Sequence, residues 1–238
     1  MKITIHQPEH LPWLGFFHKI AIADVYVILD DVQYRRRYFQ NRNRIRTCSG
    51  TQYVSVPVVK EPRNSSLIKD VKISRDDPRW KKRNIKSIST AYSKAKYFNH
   101  YFDSLQEIYL KDFNFLLDMN LEFIRYLMQA LNIKTGFVFS SSLEASGHKG
   151  DLILNICKEL KAETYISGVS GKDYLNLENF EEAGIKITYQ EFYHPVYKQL
   201  YEPFVPCMSI IDLLFNYGDK SFSIINGIDV PLMKKVFL

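Results

Sequence analysis

Two apolar runs of strand length, KITIH (2–6) and VYVILD (25–30), flank a segment that cannot be strand, because residues 7–12 carry two prolines that remove backbone donors and restrict the residue before each. After it, WLGFFHKIAIAD (13–24) repeats apolar residues at helical spacing. Strand, loop, helix and strand in this order make a βαβ unit, whose parallel strands need both sheet faces covered. The rhythm returns late in the chain. GFVFSSS (136–142), TYISG (164–168) and IKITYQEF (185–192) read as strands, and HKGDLILNICKELKA (148–162), LNLENFEEAG (175–184) and VPCMSIIDLLFNYGD (205–219) as helices. The expected class is α/β, with a Rossmann-like, mostly parallel sheet and helices on both faces.

The middle of the chain departs from that rhythm. RIRTCSGTQYVSVPV (44–58) predicts a β-hairpin turning at 48–51, KEPRNSS (60–66) a loop, and IKDVKIS (68–74) one more strand. Three amphipathic patterns, in 78–95, 97–112 and 117–133, predict a helical insertion at about 76–133. A chain of 238 residues accommodates one α/β domain, 1–238, with this insertion inside it.

Composition excludes several classes. Hydrophobic residues are 46% and charged residues 24%, which gives a globular chain rather than a disordered one. No apolar stretch approaches the ~20 residues that span a bilayer, and no signal-peptide core is present, so a soluble cytoplasmic protein is expected. Cys48, Cys157 and Cys207 are scattered without metal-ligand spacing, so neither a disulfide framework nor a metal site is expected. With Cys48 in a predicted turn, Cys157 inside a helix and no GxSxG elbow, no covalent enzyme intermediate is expected either. The net charge of +6 is concentrated in RRRYFQNRNRIR (35–46) and RWKKRNIK (79–86), which attract phosphates on a nucleotide, a nucleic acid or an anionic surface.

In a doubly wound sheet the ligand lies at the carboxyl ends of the strands, so the loops HQPEHLPW (6–13), DDVQYRRRYFQNRNR (30–44) and SGVSGKDYL (167–175) should converge there. In the first, Gln7 and His10 lie nearest the strand's end; Trp13 packs the turn, and His18 takes a helix face. In the second, Asp30 and Asp31 point to opposite sides, and one of them can orient an amine or act as a general base. Arg42, between Asn41 and Asn43, suits a phosphate fork. In the third, Ser167, Gly168, Lys172 and Asp173 can cradle a phosphate or sugar, although the order of a phosphate-binding GxxxxGK[ST] loop is missing. His194 is a further base candidate.

QPEHLPWLGFF, DVYVILDDVQY, FQNRNRI, SVPV, AYSKAKYF, TYISGVSGKDYL, HPVYKQ and SIIDLLFNYG together resemble, over nearly the whole chain and in the same order, the WbqC-like family found with bacterial O-antigen and surface-polysaccharide biosynthesis genes. The family's motifs fall on Gln7-Pro8, Pro12-Trp13-Leu14-Gly15, Asp30-Asp31 with Tyr34, Asn41-Arg42-Asn43, Ser167-Gly168 and Tyr174-Leu175. His10 stands where the family has an aromatic, which assigns it substrate contact or a base particular to this member.

The resemblance implies a transferase that moves an acyl or aminoacyl group, glycyl included, onto the amino group of a nucleotide-linked amino sugar. Such chemistry needs a pyrophosphate clamp (Arg42, Lys172, the Gly168 backbone), an aromatic for the base (Tyr34 or Trp13), and a group that deprotonates the sugar ammonium (Asp30, Asp31, His10 or His194). The acyl donor stays open between an acyl-CoA and ATP with an amino acid, and a homodimer stays open as well. Two alternatives are an ATP-dependent adenylating or nucleotidyl-transfer enzyme acting on a small acid or sugar phosphate, and a basic nucleic-acid-binding protein. Acidic residues along the helical segments and the lack of a known binding module weigh against nucleic acid.

Overall fold

The protein is described by a computed structural model covering residues 1–59, 66–228 and 230–233. In chain order it forms β1 (Lys2–His6), α1 (Leu14–Ala21), β2 (Val25–Ile28), β3 (Arg42–Thr47) and β4 (Gly50–Ser55). Next come α2 (Trp80–Tyr92), α3 (Phe98–Leu110), α4 (Leu116–Ala130), β5 (Gly136–Phe139), α5 (Gly150–Glu159) and β6 (Thr164–Ser167). The chain closes with α6 (Leu177–Glu182), β7 (Lys186–Tyr189), α7 (Ile210–Tyr217) and α8 (Ser221–Ile225).

Five strands make one sheet in the order β5-β2-β1-β6-β7, with every neighbouring pair parallel. The chain builds outward from β1 to β2 and β5, then returns to place β6 on the other side of β1. That reversal is the switch point at which doubly wound sheets open a crevice. Side chains alternate across the strands. Ile3, Ile5, Val27 and Tyr165 pack with Leu152, Ile153 and Ile156 of α5 and Phe180 of α6. Tyr26 and Ile28 belong instead with Leu14, Phe16, Phe17 and Ile20 of α1 and with the helices α2, α3, α4, α7 and α8.

The hairpin stands apart from this sheet, as β3 paired antiparallel with β4. Its connection is Cys48-Ser49, shorter than the expected turn at 48–51, because Gly50 takes φ +131 and already pairs with Thr47. The strand expected at 68–74 is instead a 3-10 turn, Ile68–Asp70, followed by single bridges from Lys72 to Phe115 and from Ile73 to Val58. The donors a ladder would need go elsewhere: Ile68 N–H donates to Val32 O and Lys69 N–H to Asp30 O, both 2.9 Å, fastening the segment under the loop after β2. Of the loop expected at 60–66, all but Ser66 lies outside the described residues.

The insertion is helical as its periodicity predicts, and α2, α3 and α4 share one core with α1 and the hairpin through Tyr92, Leu105, Tyr109, Phe123, Ile45 and Val54. Two late boundaries move inward. β7 ends at Tyr189, and α7 ends where Gly218 adopts φ +54, leaving α8 as a separate short helix that the sequence pattern did not indicate. Among the described residues no helix is long and apolar enough to cross a membrane.

Candidate functional site

Asp30 and Asp31 follow β2 after Leu29 and differ as alternation requires. Asp30 is buried, and its carboxylate accepts from Ser140 Oγ (3.0 Å), Ser141 N (3.0 Å) and Ser141 Oγ (2.7 Å), all at the end of β5. Asp31 is half-exposed and accepts from the same Ser140 hydroxyl. One hydroxyl proton serves two carboxylates, so Ser140 couples their positions.

The first two loops are sewn together. Gln40 Nε2 donates to Gln7 Oε1 (2.5 Å), His10 N to Phe39 O (2.9 Å) and Asn43 Nδ2 to Leu11 O (3.0 Å). Asn43 is fully buried and Asn41 Nδ2 binds Val56 O, so both asparagines hold the loop, while Asn41 Oδ1 is buried without a partner. The Arg42 guanidinium is held over the Tyr53 ring at 4.5 Å and donates to Arg37 O. The arginine run does not form one surface: Arg46 is 2% exposed and donates to the carbonyls of Thr47, Gly50 and Pro203.

Ser167 ends β6 beside β1, fully buried, with its hydroxyl donating to Gly168 O. Gly168 leads into a 3-10 turn, Val169–Asp173, on which Lys172 and Asp173 are exposed. Lys172 lies over the Tyr189 ring and, with His18, Thr188 and Glu191, lines a cleft of about 590 Å³ along β7. Tyr174 is 42% exposed. No hydrogen bond or ion pair between side chains joins these residues to Gln7 or Arg42 among the described residues.

Both imidazoles singled out in the sequence are enclosed. His10 Nδ1 meets Asn120 Oδ1 (3.2 Å) and Nε2 meets the Tyr109 hydroxyl (2.9 Å), inside the helical insertion, and burial lowers its pKa to about 4. His194 donates from Nδ1 to Pro195 O and accepts from Cys207 N at Nε2, and burial lowers its pKa also. Trp13 packs edge-on to Phe192 and stacks on His194. Tyr34 is 7% exposed, its hydroxyl pushed up to about 12 by burial, which leaves little of its face for a nucleobase.

A profile of the WbqC-like protein family matches residues 7–224, which include every candidate above. The chain belongs to the WbqC-like family. The Mycobacterium tuberculosis (strain ATCC 25618 / H37Rv) protein named Uncharacterized protein Rv1507c is 35% identical over 222 residues, 92% of this chain and 95% of the relative. No solved structure matches the chain.

Two ionisable residues that the sequence pattern passed over are buried, one in the loop after β1 and one on α1. Glu9 and Lys19 are 4% and 5% exposed. Burial raises Glu9 to about 8, against the opposing pull of Lys19, and lowers Lys19 to about 7, against that of Glu9. His6 beside them falls to about 3, through burial first and the Lys19 charge second. Glu9 Oε2 has no hydrogen-bond partner. The sequence does carry one signal: Lys19 is three residues after Phe16 and next to Ile20, on the inward face of α1, where a lysine needs a reason. Among the described residues no three His, Cys, Asp or Glu side chains cluster as metal ligands.

Proposed function

We propose that this WbqC-like chain is an enzyme of bacterial surface-polysaccharide (O-antigen) biosynthesis that transfers an acyl or aminoacyl group to the amino group of a nucleotide-linked amino sugar. The observation that carries the proposal is Asp31: a half-exposed carboxylate at the end of β2, steadied by Ser140 and backed by a buried Asp30. Of the four bases considered from the sequence, it is the one with partial access to solvent, and a carboxylate at such a rim can orient an ammonium and receive its proton. The loop that follows supplies exposed Arg35, Arg36 and Arg37 and the half-buried Arg42, suited to a pyrophosphate.

Incubation with a dTDP- or UDP-amino sugar and a panel of acyl donors, followed by mass spectrometry, tests the proposal. A mass increment on the sugar amine, lost in Asp31→Asn, is expected. Failure to bind any sugar nucleotide would end it.

A further inference from the structure

Gln190, just past β7, fixes the state of a histidine on α1. Its Nε2 lies 2.8 Å from Gly15 O and 2.9 Å from His18 Nδ1. An amide nitrogen only donates, so Gly15 O sets which way the amide points and His18 Nδ1 accepts. The ring proton therefore sits on Nε2, and burial, which lowers the His18 pKa, keeps the ring neutral with one N–H to offer. His18 lines the cleft of about 590 Å³ along β7 together with the exposed Lys172 and Lys186. Among the described residues that line it, Glu191 alone is acidic. The Lys172 ammonium is held 5.0 Å from the centre of the Tyr189 ring. Two ammoniums and an N–H against a single carboxylate suit an anion of more than one charge, and lysine binds phosphate as a point charge.

The position of the cleft decides which phosphate. Ile28 pairs with His6, Thr4 with Ile166 and Ser167 with Tyr189, so the carboxyl ends of β2, β1, β6 and β7 stand abreast. The cleft is three strand spacings from β2, about 14 Å across the sheet. Between them Gly168, after β6, has open space where a side chain would stand. With the sugar's pyrophosphate at the arginines after β2, the cleft falls to the other substrate. We propose that it holds the phosphate of the acyl donor, a thioester at the end of a phosphopantetheine arm such as that of coenzyme A, with Lys172, Lys186 and His18 Nε2–H as donors. This rests on the proposed function in taking Asp31 as the place where the acyl group is received. The arm has about thirteen bonds from phosphorus to sulfur and reaches about 15 Å when stretched as an extended chain is, the span from the cleft to the end of β2.

Calorimetric titration with phosphopantetheine and pantetheine, which differ in the phosphate alone, tests the assignment. The unaltered chain should bind phosphopantetheine at least tenfold more tightly. Lys172→Met and Lys186→Met should each cut that preference several-fold, and the double variant should abolish it; both side chains are exposed, so the fold is kept. Equal affinities, no binding of either, or a preference intact in the double variant would overturn the inference. Acyl transfer from a pantetheine thioester as fast as from the phosphopantetheine thioester would overturn it too and leave the proposed function standing. Phosphopantetheine bound as expected, with no transfer from its thioester to any amino sugar, would leave the cleft standing without the function.

Discussion

The indole of Trp13 occupies the space that a methyl group on Gly15 would need: a Cβ built there stands 2.4 Å from two ring carbons. The pair thus fixes how α1 leaves the loop after β1, because the ring cannot move without disturbing Phe192 and His194 packed against it.

Gly15→Ala should therefore destabilise the protein by about 1–3 kcal/mol, the usual cost of overpacking. Trp13→Leu in the same chain should return part of that loss. Guanidinium unfolding of the two single variants and the double gives the coupling; strict additivity would show that the ring and the glycine do not constrain each other.

Glu9 and Lys19 give a stability minimum near neutrality. Glu9 keeps its proton in the folded state up to about 8 while the unfolded chain releases it from 4.5, so stability falls as pH rises between those values. Lys19 loses its proton in the folded state above about 7 while the unfolded chain holds it to 10.5, so stability falls as pH descends through that window. The two costs overlap at pH 7–8. There the double variant Glu9→Gln/Lys19→Met should be more stable than the unaltered chain by about 1–4 kcal/mol, because neither replacement has to give up a charge on burial. A loss at pH 7.5 in thermal unfolding would contradict this.

His10 works in the opposite sense on the acid side. Its folded pKa, about 4, lies below the unfolded 6.5, so stability present above 6.5 is lost as pH falls toward 4, by about 1.4 kcal/mol per pH unit. Urea midpoints of His10→Gln between pH 6.5 and 4 should fall less steeply than those of the unaltered chain. Identical slopes would mean that the ring protonates without leaving Asn120 and Tyr109.

Asp30 and Asp31 should separate stability from activity. Asp30→Asn faces Ser141 N–H and two seryl hydroxyls with an amide that can accept at one oxygen only, a loss of about 1–3 kcal/mol. Asp31→Asn should change stability by no more than about 0.5 kcal/mol, the range usual outside the core, while removing transfer. Unfolding curves and transfer assays on both variants read the two effects separately.

The β1-α1-β2 unit and the late alternation were legible because prolines, apolar runs and helical spacing are local signals. The same local reasoning sets His10 near the strand's end and does not show its burial. Leu11 takes φ +43, a left-handed conformation, and the chain there buries the imidazole under Tyr109 and Asn120, residues about a hundred positions away that no local pattern announces. Likewise the extended look of 68–74 says nothing of Val32 and Asp30 taking its backbone donors. Ser140 and Ser141 read as the tail of a strand, and only the pairing of β5 with β2 brings them to Asp30.

The central claim is that one rim, at the ends of β1 and β2, grips a nucleotide-linked amino sugar. Electron density from crystals soaked with UDP-glucosamine tests it most directly. The account predicts the amine beside Asp31 with the pyrophosphate against Arg42; a nucleotide sugar seated in the cleft along β7, with the β1 and β2 ends unoccupied, would contradict it.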